Sequence, residues 1–371
     1  MISFGPTDEQ ELVRSTLREF SADVLRPAAR EADEASRLPD GLLDQAWELG
    51  LVSTQLPATV GGGDEPHSPI TNALVLEELG CGDVALGLAV AQPSLFAFAV
   101  ADLGTPEQKK RWLPLFTGSR FPAASVAWIE PSPVFDALAL QTQAEPKHGS
   151  FVLTGKKRCV VLGDRAEHFL VIAKNAQSAK TGFSALDAFV VPRSAKGLRV
   201  TEVEKQLGLR AVPSVGLELD RVEVDAADRL GGDAGLDARR LLALSRTGGA
   251  ALLLGLGRAV MEYAIPYAKD RVAFDEAIAQ KQAIAFMLSD MQVETDALRW
   301  LVWKAASFLE QGLDATRESV LAWSTAAEQI MKIADNGVQV LGGHGFIREH
   351  PVEMWYRNAR TLSVLDGVAS V

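Results

Sequence analysis

The feature that most limits what this chain can fold into is a change of hydrophobic period and its reversal. Residues 1–120 carry apolar residues at helical spacing, residues 121–230 break into short β-branched runs, and residues 231–371 return to long helical patterns. Thr7 and Gln10 form a capping box before Val13, Leu17, Phe20 and Val24, which share one helical face. Gly41–Leu49 reads as a second short helix closed by Gly50, and Thr105-Pro106-Glu107-Gln108 as another helix start. In the middle stretch, Phe151–Leu153, Val160–Leu162, Phe169–Ala173, Ala188–Val191 and Val215–Leu219 read as strands separated by turn residues. Ala238–Lys269, Ala277–Gln311 and Thr316–Val340 read as long helices whose lengths suit an antiparallel bundle. The expected class is therefore α+β with three domains: an N-terminal helical domain (1–120), a middle β-sandwich or barrel (121–230) and a C-terminal antiparallel helical bundle (231–371). A β insert between two helical blocks leaves a crevice where they meet, and such junctions are where cofactor sites lie.

Composition removes several functions. A net charge of -11 without any long Lys/Arg run argues against nucleic acid as a partner, because phosphate contacts need clustered cations. Two distant cysteines, Cys81 and Cys159, do not make a disulfide framework, and this usage points to the cytoplasm. The five histidines show no metal-ligand spacing and read as isolated loop or surface residues, so no metal is expected. The first ten residues have no basic or apolar leader pattern. Val84–Leu103 is strongly apolar, yet it holds Gln92, Pro93 and Asp102 and reads as a buried helix pair rather than a membrane span.

The last hundred residues are the most specific. Arg271-Val-Ala-Phe274, Gln282, Gln339-Val-Leu-Gly342-Gly343-His-Gly345-Phe346, Glu349 and Pro351-Val-Glu353 follow one another in an order that resembles the acyl-CoA dehydrogenase family. Met354 stands where that signature has a basic residue. Gly50–Pro57 followed by Gly61-Gly62, and Gly155–Gly163, are similar to the family as well, so the likeness is collinear over essentially the whole chain. Independently of it, glycines such as Gly342-Gly343 let backbone approach a ligand closely, and an arginine such as Arg271 can fork onto a pyrophosphate. The resemblance implies an antiparallel four-helix bundle as the C-terminal domain and FAD as cofactor. It also implies that Arg271, Phe274, Gln282, Gln339, Gly342 and Gly343 hold the adenine and pyrophosphate side of a neighbouring subunit's FAD, in a homodimer or homotetramer.

The family oxidises the bond between the α and β carbons of an acyl-CoA, with a carboxylate as base and electron-transfer flavoprotein as the usual acceptor. The resemblance places Asp366 at the base position and Arg246 and Gly367 beside the substrate. Asp is one methylene shorter than the family's usual Glu, which sets the carboxylate back by roughly 1.5 Å. The alternative position for the base, on an earlier helix, is Ser245 here, which leaves Asp366 as the candidate. The stretches that hold the flavin ring depart from the family. Ile129, within Trp128-Ile129-Glu130-Pro131, replaces a hydroxyl, Phe135 replaces a serine, and Val161 ends a Cys159-Val160-Val161 run where a hydroxyl is usual. These departures leave two further readings beside an active dehydrogenase. One is a half-site or non-catalytic subunit of a heteromer with a homologous chain. The other is a flavin oxidase acting on a small non-CoA substrate.

Overall fold

The computed structural model describes residues 5–178 and 180–371. The leader reading rests in part on residues 1–4, which lie outside the described residues.

The N-terminal block contains α1 (Asp8–Phe20), α2 (Arg26–Ala35), α3 (Leu42–Trp47), α4 (Pro69–Gly82), α5 (Val84–Leu103) and α6 (Pro106–Trp112). The capping boxes read at Thr7 and Thr105 are formed, each pairing a threonine hydroxyl with a glutamine three residues on. The stretch read as a helix pair is instead the single 20-residue helix α5, which keeps Pro93 in its interior. Its N-terminus is fixed by the Asp83 carboxylate, which accepts from the N–H groups of Ala85 and Leu86. Among the described residues two helices, α5 and the later Ala238–Asp270, are long and apolar enough to cross a bilayer, but 94% and 78% of their apolar windows are buried inside the protein.

The middle block is a curled seven-stranded sheet made of β1 (Ala124–Ala127), β2 (Gln143–Lys147), β3 (Ser150–Val161), β4 (His168–Asn175), β5 (Leu186–Pro192), β6 (Leu198–Val203) and β7 (Ser214–Asp225). The strand order is β1-β4-β2-β3-β7-β6, with β5 on β4. Two of the strands read from sequence are one: β3 runs from Ser150 to Val161 and absorbs its polar middle through irregularities at Leu153/Gly155 and Lys157/Val160. The second irregularity holds Cys159 at φ 51°, which re-aims the end of the strand.

The C-terminal block opens with α7 (Ala238–Asp270) and a two-stranded hairpin, β8 (Val272–Ala273) and β9 (Glu276–Ala277). It continues with α8 (Gln282–Glu310), α9 (Thr316–Leu341) and the short fourth helix α10 (Val352–Leu362). Helix α8 therefore starts at Gln282 rather than at Ala277, because the hairpin takes the intervening residues. Helix α7 packs on α9, α8 and α4, which joins the bundle to the N-terminal block in one apolar core.

Candidate active site

The junction between sheet and bundle holds an open cavity of about 710 Å³. Ile129 and Phe135 come from the loop after β1, Cys159 from the β3 bulge, Trp323 from α9, and Leu365 and Asp366 from the turn after α10. Asp366 thus faces the crevice. Arg246, two turns into α7, donates to its carboxylate at 2.6, 3.0 and 3.2 Å, a forked contact that fixes the position of both oxygens. Both side chains are mostly buried, at 17% and 15% exposure. Ser245 sits beside Arg246 but is 2% exposed and its hydroxyl finds no partner among the described residues.

Gly367 follows Asp366 at φ 95°, where a Cβ would lie 3.2 Å from the Trp128 side chain. Neither the Asp366 nor the Gly367 N–H has an acceptor among the described residues. The floor beneath is ionic. Lys157, fully buried, donates to Glu130 at 2.8 Å and to the Trp128 carbonyl at 3.1 Å. Glu130 also accepts from the N–H groups of Gln141 and Thr142. Burial raises the Glu130 carboxyl, and Lys157 with these donors more than reverses the effect, holding it below its ordinary value. Burial pulls Lys157 down to about 8 against the attraction of Glu130. Glu130 is therefore a structural clamp on the loop that carries Ile129, not a group free to take a substrate proton. The Cys159 thiol is pushed up to about 12 by burial and by Glu204, whose carboxylate lies 3.4 Å away, so it is neutral and poorly nucleophilic.

Of the residues expected at the flavin ring, Ile129 lines the crevice, whereas Val161 packs in the core at the end of β3 and its carbonyl accepts from Ser125 at 2.6 Å. The wall at that point belongs to Cys159. Sequence reasoning misses Trp323; the available signal is one large aromatic among the small residues Ala322, Ser324, Thr325, Ala326 and Ala327.

The other expected group collects at the far end of the bundle. Arg271 caps α7, Gln282 opens α8, and Gln339, Gly342 and Gly343 close α9. Phe274 and Asp275 form the two-residue tip of the β8–β9 hairpin with φ of 56° and 66°, as a primed turn demands. Phe274 is 88% exposed, and the Arg271 side chain has no ion-pair partner among the described residues. Nothing lies within 4 Å of the place a Cβ would take on Gly342 or Gly343, whereas a Cβ on Gly345 would meet the Val338 carbonyl at 2.3 Å. Gly345 is therefore required by the fold, while at Gly343 the space lies open to an external ligand. An exposed cation, two adjacent glycines and a solvent-facing ring suit the anionic and planar parts of an FAD. The 25 positions from Arg246 to Arg271 on α7 separate this end from Asp366 by about 37 Å.

His67, His344 and His350 are not isolated as read. His67 stacks on Phe98 and bonds Asp102 at 3.1 Å, and Asp102 in turn accepts from Arg240 at 2.9 Å. His344 and His350 stack on each other, with Tyr267 and Tyr263 on their Nδ1 atoms at 2.8 and 2.7 Å. Such partners are made by helices far apart in the chain, so sequence spacing does not show them.

Three family models match in chain order: the acyl-CoA dehydrogenase N-terminal domain over residues 7–119, the middle domain over 125–222 and the C-terminal domain over 235–371. The chain belongs to the acyl-CoA dehydrogenase family. An acyl-CoA dehydrogenase of Bacillus subtilis is 31% identical over 98% of this chain and 96% of its own. The mitochondrial short-chain specific acyl-CoA dehydrogenase of Bos taurus is 30% identical over 98% of this chain and 88% of its own. The solved butyryl-CoA dehydrogenase of Megasphaera elsdenii superimposes with a TM-score of 0.88 at 28% identity, covering 99% of this chain and 96% of that one. The acyl-CoA dehydrogenases are FAD-dependent oxidoreductases, and this member is a divergent flavoprotein of that type.

Proposed function

We propose that this acyl-CoA dehydrogenase removes the α proton of an acyl-CoA thioester with Asp366 while the β hydride leaves the substrate. The observation that carries the reading is the forked contact of Arg246 on Asp366, whose side of the turn lines the crevice. Arg246 holds the shortened base at one place, which is what proton abstraction asks first. The free N–H groups of Asp366 and Gly367 are donors for a thioester oxygen, where negative charge grows as the α proton leaves. Apolar Ile129 and Phe135 keep water from that charge. FAD, when bound, supplies the hydride acceptor, with Ile129 and Cys159 beside its ring.

The far-end group, Arg271, Phe274, Gln282, Gln339, Gly342 and Gly343, serves the FAD of a second copy, since about 37 Å of helix separates it from Asp366. The working form in this reading is a homodimer or homotetramer in the cytoplasm, reoxidised by electron-transfer flavoprotein. A solved neighbour described as an electron transferring flavoprotein of Acidaminococcus fermentans, 27% identical to this chain, supports that choice of acceptor.

The test is anaerobic reduction. The purified protein is expected to carry a flavin absorbance band that bleaches on addition of acyl-CoA, and Asp366→Asn is expected to keep the band but lose the bleaching. A variant that still bleaches at the native rate removes Asp366 from the chemistry.

One observation favours a second reading. Ile129, Phe135 and Cys159 place no hydroxyl where the ring would sit. In a half-site subunit the chain would be colourless alone and would bind flavin only with a homologous partner.

A further inference from the structure

The segment after α9 is tied to α7 by aromatic side chains that proton abstraction at Asp366 does not use. The imidazoles of His344 and His350 lie 5.3 Å apart and nearly parallel, at 14°. Tyr267 Oη is 2.8 Å from His344 Nδ1, and Tyr263 Oη is 2.7 Å from His350 Nδ1. The tyrosines are four residues apart, so the pairs are two rungs from consecutive turns of α7. The Tyr263 rung is braced from outside the bundle's end. Its ring meets Trp355 of α10 edge-on at 5.8 Å, and the His350 carbonyl accepts from Arg30 of α2 at 2.8 Å.

The Tyr267 rung stands where the far-end groups meet. The Tyr267 carbonyl accepts the Arg271 N–H at 2.9 Å, the bond that closes α7 and launches the arginine. Its hydroxyl is also 3.4 Å from the carbonyl of Leu341, the last residue of α9. One residue thus touches the backbone of Arg271 and both sides of the Gly342–Gly343 turn, Leu341 before it and His344 after it. The turn has little else to fix it. Gly342 lies at φ 57° and ψ -130°, and nothing stands within 4 Å of the place a Cβ would take on either glycine. Glycines so placed have the widest conformational freedom of any residue.

We propose that Tyr267 and His344 are positioning residues for the FAD diphosphate: their hydrogen bond sets the Gly342–Gly343 turn in register with Arg271, so that turn and cation reach the same diphosphate. This role rests on the reading in which this end of the bundle serves the FAD of a second copy. Neither side chain has to touch the cofactor. A turn ordered before the cofactor arrives does not lose its freedom on binding, and the affinity rises accordingly. The Tyr263–His350 rung holds the chain beyond the turn and contributes to stability alone.

The experiment is FAD release on serial dilution of the FAD-loaded protein, read by the recovery of flavin fluorescence, beside thermal melts of the same proteins after FAD removal. It compares the native chain with Y267F, Y263F, H344L, Y267F/H344L and G343V. Tyrosine to phenylalanine keeps the ring packing and removes only the hydroxyl. Y267F is expected to weaken FAD binding about fivefold, the effect of one lost hydrogen bond. H344L is expected to do the same, and Y267F/H344L to lose no more than either single variant, because one bond is broken in all three. Y263F is expected to lower the melting temperature as much as Y267F does and to keep the native FAD affinity. Native FAD release from Y267F, or an equal loss of affinity in Y267F and Y263F, overturns the positioning role. Native FAD release from G343V overturns instead the reading that this end of the bundle holds a cofactor, and the positioning role with it.

Discussion

Arg246 and Asp366 are 120 positions apart in the chain, and the guanidinium of one grips both oxygens of the other. The contact joins α7, the longest helix, to the turn after α10, so the base is placed by the bundle rather than by its own loop. A lysine at 246 keeps the charge but loses the fork. Arg246→Lys is expected to lower kcat by about 10- to 100-fold through misplacement of the carboxylate, with flavin content unchanged. Stopped-flow reduction alongside the flavin-to-protein absorbance ratio checks it; a lost flavin would mean that Arg246 supports the cofactor instead.

A second ionic cluster governs stability. Glu78 on α4 accepts from Arg14 at 2.9 Å and Arg18 at 3.2 Å on α1 and from Arg258 on α7. Burial raises its carboxyl, but the Arg258 contacts and the two other arginines prevail, bringing it to about 2 from 4.5. Because the folded value is depressed, the stabilisation is present above pH 4.5 and is lost as pH falls toward 2. Its full size is about 3 kcal/mol, and Glu78→Gln, which takes one carboxylate partner from each of three arginines, is expected to cost up to a similar amount at neutral pH and to flatten the acid limb of the stability curve. Denaturant melts between pH 2 and 7 read both effects.

Much of this molecule is legible in sequence because its signals are local. The capping boxes at Thr7 and Thr105, the long helices and the collinear Gln339–Phe346 segment need only neighbouring residues. What escapes a sequence reading depends on distant partners. Pro93 stays inside α5 because tertiary burial of nearly the whole helix outweighs a local break that proline alone would favour. β3 reads as two strands because Lys156, Lys157 and Arg158 interrupt its apolar run, yet Lys157 is buried once Glu130 pairs with it. His67 looks isolated since Asp102 and Phe98 reach it only when α5 folds past it. At the site, Asp366 and Arg246 emerge by resemblance, whereas Trp323 and the inward segment after Gly367 are set by packing.

The two end glycines of α9 make a paired test. A side chain at Gly343 enters open space, while at Gly345 it strikes the Val338 carbonyl. Gly345→Ala is expected to destabilise the fold by roughly 1–3 kcal/mol, as overpacking does. Gly343→Val is expected to leave the melting temperature of the flavin-free protein unchanged and to lower flavin retention and oligomer content together. Thermal melts, flavin release and light scattering separate the two, and unaltered flavin retention in Gly343→Val would detach this end of the bundle from the cofactor.

The apolar wall at Ile129 gives the last expectation. Its side chain is nearly buried at the crevice edge, and its backbone carbonyl already accepts from the Arg158 N–H at 2.9 Å, so the loop position does not depend on the side chain. A threonine there keeps the β-branch and brings back a hydroxyl facing the place of the ring. One recovered hydrogen bond is worth about 1 kcal/mol, which is roughly fivefold in affinity. Ile129→Thr is therefore expected to tighten FAD binding about fivefold in a fluorescence titration of the apoprotein, with stability lowered only by the lost methylene. If the chain is instead a half-site subunit whose crevice never takes a flavin ring, the same substitution changes no flavin affinity at all, and the titration distinguishes the two readings directly.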